Sequence, residues 1–415
     1  MNALLQKTRN TFNEYPRAFW VFATTVFIDR LGGALLYPFY ALYLTQKFDI
    51  GMTDVGKLFA LFSISGFVGS ALGGAMTDRM GRRAVLIFSL IASSLSALLL
   101  GFANTVAMFA LLSVTVGILA SVGQPAHNAI VADLLPSEKR AEGYGLIRVI
   151  FNLSVVIGPV IGGFLAARNF LLIFIADAII SLISAAIIYL ALPETKPQAY
   201  PNAKPETVAQ SFGGYGKVFR DAAFMAFMFV TTLQVIVYVN MNTSLGVFLR
   251  DEHNIPTSGY GWILSLNAAM VVLFQFWLTR RMEGQKPMYM MALGTALYAA
   301  GFAMYGFTST YFLFLAAMVV ITIGEMIVSP IAQSLIADFA PEDMRGRYNA
   351  VFGITWGLAF AAGPYFAGLI LDNYDPNWLW YACGILGLIS ALGYYLLDKT
   401  HRAATTLRTE PAATD

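Results

Sequence analysis

Twelve apolar stretches, each long enough to cross a bilayer, run through the 415-residue chain. They lie at approximately 18–44, 53–77, 84–103, 106–133, 143–166, 170–191, 222–249, 257–279, 287–307, 310–337, 346–371 and 377–397. A spanning helix needs about 20 mostly apolar residues. At that length a helix satisfies all its backbone hydrogen bonds within one segment, as lipid demands. The pattern predicts an all-α membrane protein with 12 transmembrane helices. Composition agrees: only 12% of residues are charged, against about a quarter in a soluble domain. The first stretch follows Lys7, Arg9 and Arg17. It is too long for a signal-peptide core and no small-residue cleavage site follows, so it reads as a retained helix.

Orientation follows from the basic residues. With both termini placed in the cytoplasm, 20 of the 26 lysines and arginines fall on that side. Only Lys47, Lys57, Arg168 and Arg250 fall outside, and Arg30 and Arg148 remain within spans. The expectation is a multi-pass protein of the cell (inner or plasma) membrane. The longest loop, about 193–221, carries Pro193, Pro197, Pro201 and Pro205 and divides the spans six and six. It predicts an N-terminal bundle at 1–192, a cytoplasmic linker at 193–221, a C-terminal bundle at 222–400 and a cytoplasmic tail at 401–415.

Several functions are excluded. A net charge of +2 is no nucleic-acid footprint. One cysteine, Cys383, allows no internal disulfide or cysteine metal cage. His127, His253 and His401 are scattered, so no metal site is expected. No nucleophile–base constellation marks an enzyme, and no Gly-x4-Gly-Lys-Ser/Thr loop marks an ATP-driven pump. No cofactor is expected. The driver left is the proton gradient: one charge moving down 100 mV yields about 2.3 kcal/mol, roughly a 40-fold concentration ratio.

The halves repeat at a constant offset of 205 residues. Pro125 matches Pro330, Asp133 matches Asp338, Pro136 matches Pro341 and Arg140 matches Arg345. Gly158-Pro159 matches Gly363-Pro364, and Gly163 matches Gly368. Six spans separate the copies, so both have the same membrane orientation. In parallel-repeat transporters the substrate site lies between the halves, and one bundle rocks against the other.

Ionisable groups within spans are the functional leads, because a charge at the bilayer centre costs about 2.5–3.5 kcal/mol on insertion scales. Asp29 and Arg30 lie near the middle of span 1, Arg148 about a turn into span 5, Asp177 about two turns into span 6 and Glu325 well inside span 10. Asp29 and Arg30 leave their helix about 100° apart, so they do not simply pair on one face. Each is either a coupling group or half of a salt bridge that holds helices together. A desolvated glutamate titrates nearer neutrality, so Glu325 is read as a proton carrier or partner for a cationic substrate, with a buried pair to Arg30 or Arg148 as the alternative. Its repeat mate is Ala120, an asymmetry that favours a specific role. Pro330, five residues later, is expected to bend span 10. Gln234, the repeat mate of Asp29, and Asn240 are expected to add polarity to a central cavity, with Tyr37 from span 1.

The loop between spans 2 and 3 reads Gly74-Ala-Met-Thr-Asp78-Arg79-Met-Gly81-Arg82-Arg83. Span 5 carries Gly145, then Ser154, then Gly158-Pro159-Val-Ile-Gly162-Gly163. In these motifs the chain resembles the major facilitator superfamily, and within it the twelve-span drug:proton antiporters, with Ser154 in place of one glycine. The resemblance implies a latch built from Gly74, Asp78, Arg79, Gly81, Arg82 and Asp133, with Asp78 facing the start of span 11 and Arg82 paired with Asp133. Gly158, Pro159, Gly162 and Gly163 read as helix packing or as a coupling motif; their recurrence in span 11 favours packing. The arginine that many of these exporters carry in span 4 is absent, Ser113 standing four residues before Gly117. The expected function is proton-coupled efflux of small amphipathic compounds, lipophilic or cationic, by a chain that works as a monomer among membrane lipids. The alternatives are another solute (a sugar, a peptide or a lipid-linked molecule flipped between leaflets) and a transporter-like sensor that moves nothing.

Overall fold

The computed structural model describes residues 14–195, 215–282, 284–341 and 344–409. The expected linker lies outside the described residues except at its two ends, and so does the end of the tail, 410–415. Among the described residues, twelve helical segments are long and apolar enough to cross a membrane. They are Arg17–Phe48, Met52–Gly74, Arg82–Phe102, Val106–Leu134, Glu142–Arg168, Leu171–Ala191, Ala222–Thr243, Thr257–Met282, Pro287–Tyr305, Tyr311–Ile336, Arg347–Asn373 and Asn377–Lys399, here spans 1 to 12. The protein is therefore an all-α membrane protein.

The helix breaks trace to particular residues. Span 1 passes through a single 3-10 turn at Tyr37–Phe39, where Pro38 contributes no N–H to the ladder. Span 4 is two helices, Val106–Ser121 and Gln124–Leu134, with Pro125 in the first turn of the second, where a missing N–H costs nothing. The repeat mate Pro330 behaves differently. The helix Tyr311–Phe339 runs through it without ending, as a helix that bends at a proline can. Gly123 precedes Pro125 where the second half has Val328, and glycine lowers the cost of leaving the helix.

Contacts divide the chain into two units. The first is Met1–Ile50, Lys57–Asn202 and Pro256–Ala268; the second is Gly51–Gly56, Ala203–Ile255 and Ala269–Asp415. The body of the first packs Phe19, Phe22, Val85, Leu86, Ile130 and Leu135 into one apolar core. Apolar area alone does not hold helices together in lipid; close backbone approach does. Span 2 presents Gly66, Gly69 and Gly73 to span 4, where a methyl built on Gly69 would run into the Ile118 carbonyl and one on Gly73 into that of Val122. Span 5 approaches span 1 in the same way: a methyl on Gly158 would lie 2.8 Å from the Ala34 carbonyl carbon, and one on Gly162 2.7 Å from the Phe39 ring.

In the second unit, Asp221 caps span 7 by accepting from Phe224 N at 3.0 Å. Its other oxygen accepts from the Tyr348 hydroxyl at 2.8 Å. Trp380 is wholly buried among Phe248, Phe302 and Tyr305. Within this unit Asp372, at the end of span 11, accepts from Met52 N at 2.8 Å and Thr53 N at 2.7 Å. A carboxylate on the free N–H groups of a helix start is stabilising by roughly 0.3–1 kcal/mol.

Candidate functional site

The second unit holds a carboxylate ringed by aromatics. Glu325 of span 10 accepts a hydrogen bond from the Tyr238 hydroxyl of span 7 at 3.0 Å. The Tyr238 ring lies 5.8 Å from Tyr298 of span 9 and 5.9 Å, edge-on, from Trp356 of span 11. Trp356 continues to Phe360 at 6.0 Å. Four spans thus bring one acid and four rings together, and Glu325, Tyr238, Trp356 and Phe360 all keep partial exposure. Gln234 is buried, 5% exposed. Asn240 is buried too, and its amide is used inside the bundle: Nδ2 donates to Ile236 O at 2.8 Å and Oδ1 accepts from Ser244 Oγ at 2.8 Å.

The first unit holds the other in-span charges. Arg30 donates to Gln124 Oε1 at 2.9 Å and lies 5.7 Å from the Phe151 ring centre. Asp177 sits on span 6 with one carboxylate oxygen 2.5 Å from where a Gly32 methyl would be. Asp29 is one turn before Gly32 on span 1. Tyr37 packs edge-on against Phe59 at 5.9 Å. Arg148 is on span 5, and its side chain lies outside the described residues. Ser154, which replaces a motif glycine, donates to Phe27 O of span 1 at 3.0 Å.

The loop between spans 2 and 3 is tightly organised. Arg82 Nε pairs with Asp133 Oδ2 at 2.9 Å, both side chains nearly buried at 13% and 12% exposure. Gly81 takes φ +96° and ψ 160°, a region open essentially to glycine alone. Glu194, just past span 6, accepts from Arg82 N at 2.8 Å and Arg83 N at 3.2 Å. Its carboxylate caps span 3, and a methyl on Gly81 would lie 2.5 Å from it. Arg83 donates to the Tyr189 carbonyl and stacks on its ring. Arg79 is exposed, Gly74 has nothing within 4 Å of where its methyl would be, and the Asp78 side chain lies outside the described residues.

Gly81→Ala therefore forces a side chain into a glycine-only conformation and against Glu194. The expected loss is roughly 1–3 kcal/mol, read as a lower melting temperature of purified protein, whereas Gly74→Ala leaves it unchanged or raises it. Equal melting of the two variants would remove the argument.

Sequence reasoning missed Glu194, Gln124 and Asp372. Glu194 had a visible signal, an acid directly after Pro193 at the end of a span. Gln124 and Asp372 had none, since nothing in their local sequence names their distant partners.

Known proteins agree with this architecture. The family model described as Major Facilitator Superfamily matches residues 22–364 and 228–414. The Na(+), Li(+), K(+)/H(+) antiporter of Planococcus maritimus is 25% identical over 396 residues, 88% of this chain and 93% of that protein. The quinolone resistance protein NorA of Staphylococcus aureus (strain COL) is 22% identical over 386 residues, 91% of this chain and 95% of that protein. Among solved structures, a mutant of the nucleoside transporter NupG superposes with a TM-score of 0.78 at 13% identity, covering 92% of this chain and 100% of that one. With twelve spans, and with the family model matched along both halves, the chain belongs to the Major Facilitator Superfamily and is a membrane transporter, not an enzyme.

Proposed function

We propose that this transporter exports lipophilic cations in exchange for protons, with Glu325 as the group both compete for. The observation that carries the reading is the Glu325 carboxylate held by Tyr238 beside Tyr298, Trp356 and Phe360. Ring faces attract an organic cation by about 0.5–2 kcal/mol each, more when dry. The carboxylate supplies the opposite charge, and a charge left bare within the bilayer is costly. The acid therefore carries either a proton or the cation. Antiport follows from that exclusion, and the proton gradient is the driver.

Two relatives carry names of matching chemistry, an alkali cation/proton antiporter and a quinolone resistance protein. The asymmetry of basic residues supports cytoplasmic termini in the cell membrane. Both halves reside in one chain, which supports a working monomer. Gly74, Asp78, Arg79, Gly81, Arg82 and Asp133 form the latch in this reading, and the glycines of span 5 serve packing.

The test is proton movement in proteoliposomes that carry a pH-reporting dye, with tetraphenylphosphonium or ethidium added under an imposed pH difference. Cation-triggered proton movement is expected. None with either cation, from protein that remains folded, overturns the reading and favours uptake of another solute or lipid flipping.

A further inference from the structure

Span 10 passes Pro330 without ending, so the carbonyl four residues earlier must find its hydrogen bond elsewhere. Pro330 has no N–H, and the ladder bond to the Met326 carbonyl is missing. Met326 is 3% exposed and lies well inside span 10, where lipid offers no replacement donor. The donor comes from span 8. Gln275 Nε2 donates to Met326 O at 2.9 Å and to Thr279 Oγ1, one turn along its own helix, at 3.0 Å. A carbonyl only accepts, so the nitrogen end of the amide must face it. The Thr279 bond holds the amide in that orientation.

Met326 directly follows Glu325, and the residue on the other side is fixed as well. A methyl on Gly324 would lie 2.6 Å from the Gly294 carbonyl oxygen of span 9, and one on Gly294 would lie 3.0 Å from that of Gly324. Glu325 thus stands between a residue wedged against span 9 and a residue tied to span 8. Its carboxylate is held by Tyr238 of span 7 at 3.0 Å. The first half meets its proline differently. At the repeat mate Pro125 one helix ends and another begins, and the register position of Gln275 is Ser70. The amide therefore belongs to the half that carries the acid, whose own repeat mate is Ala120.

We infer that Gln275 is a positioning residue for Glu325: its amide replaces the N–H that Pro330 lacks and so sets the carboxylate against Tyr238. A helix bent at a proline can open or close around the freed carbonyl. Tying that carbonyl to span 8 selects one bend, and with it the direction in which the preceding residue leaves the helix. The amide acts through the backbone of span 10, not on the proton or the cation. Its role in transport rests on the reading of Glu325 as the exchange group; its placement of the carboxylate does not.

The experiment follows the labelling of Glu325 by dicyclohexylcarbodiimide in the purified full-length protein at one fixed pH, quantified by mass spectrometry. Wild type is compared with Tyr238→Phe, Gln275→Leu and the double variant. Each single substitution should change the labelling rate in the same direction by roughly threefold to tenfold, the worth of one hydrogen bond on the carboxyl group. The double variant should label like Tyr238→Phe alone, because both changes act on the same bond. A Gln275→Leu protein that labels like the wild type, opposite effects of the two single substitutions, or effects that multiply in the double variant overturn the inference. A second comparison needs no labelling. Pro330→Ala returns an N–H to the Met326 carbonyl, so Gln275→Leu should lower the melting temperature in the wild-type background and leave it unchanged in the Pro330→Ala background. An equal fall in both backgrounds overturns the inference. If Gln275→Leu alone does not fold, it should fold when combined with Pro330→Ala, and failure there overturns it too. Wild-type vesicles that move no protons would sink the antiport reading alone; unchanged labelling in Gln275→Leu would sink the positioning role alone.

Discussion

Glu325→Gln is expected to abolish pH-driven export while leaving the protein folded. Glutamine matches the glutamate in shape, and its carbonyl oxygen still accepts the Tyr238 hydrogen bond now made at 3.0 Å. What it loses is the proton and the charge. Exchange of one proton for one monovalent cation moves no net charge, so with the membrane potential clamped only the pH difference drives it. Two pH units are worth about 2.7 kcal/mol, roughly a hundredfold concentration ratio for one proton exchanged. The measurement is the steady-state tetraphenylphosphonium ratio across proteoliposomes under that gradient. Wild type should approach the hundredfold limit and Glu325→Gln should stay near unity. Tyr238→Phe should fall between them, since it keeps the carboxylate but removes a hydrogen bond to a charged group, worth about 1.5–3 kcal/mol. A glutamine variant that still builds the full ratio would show that the exchanged proton sits elsewhere.

The fold was legible because the bilayer imposes a length scale. Twelve apolar runs could be read without knowing any contact, and their ends fall within a few residues of the observed helices. The repeat was legible for a similar reason, since Gly158-Pro159 and Gly363-Pro364 sit in register along the chain. The Arg82–Asp133 ion pair came into view through the loop motif and is present at 2.9 Å. The remaining details depend on which helix faces which. Arg30 ends on Gln124 because the second helix of span 4 starts there, and that start depends on Gly123 and Pro125 acting together. Asn240 looked like a cavity residue by register, yet Ile236 O and Ser244 Oγ satisfy it inside the bundle. Composition could not reveal that Asp177 meets span 1 at Gly32, since that contact depends on packing between spans 1 and 6.

Gly69→Val and Gly73→Val are expected to destroy the folded protein, and the argument again rests on the face a residue presents. A methyl on Gly69 would collide with the backbone of Ile118, lying 2.7 Å from both its Cα and its carbonyl carbon; on Gly73 it would stand 2.8 Å from the same atoms of Val122. These obstacles are main chain, with no rotamer to move aside, so spans 2 and 4 must separate. Separation opens a seam whose attraction is close packing, because lipid tails compete equally for apolar surface. Overpacking by one methylene already costs about 1–3 kcal/mol where side chains can adjust. Valine adds three carbons against an unyielding wall, and whole-protein stability is only about 5–15 kcal/mol. Gly74 is the internal control. It is adjacent in sequence but meets nothing within 4 Å, so Gly74→Ala exchanges a poor helix former for the best one, a gain of up to about 1 kcal/mol. Size-exclusion profiles and melting curves in detergent decide the matter. The two valine variants should aggregate or melt far below wild type while Gly74→Ala melts at or above it. Valine variants that melt with the wild type would mean that spans 2 and 4 are not joined through these glycines.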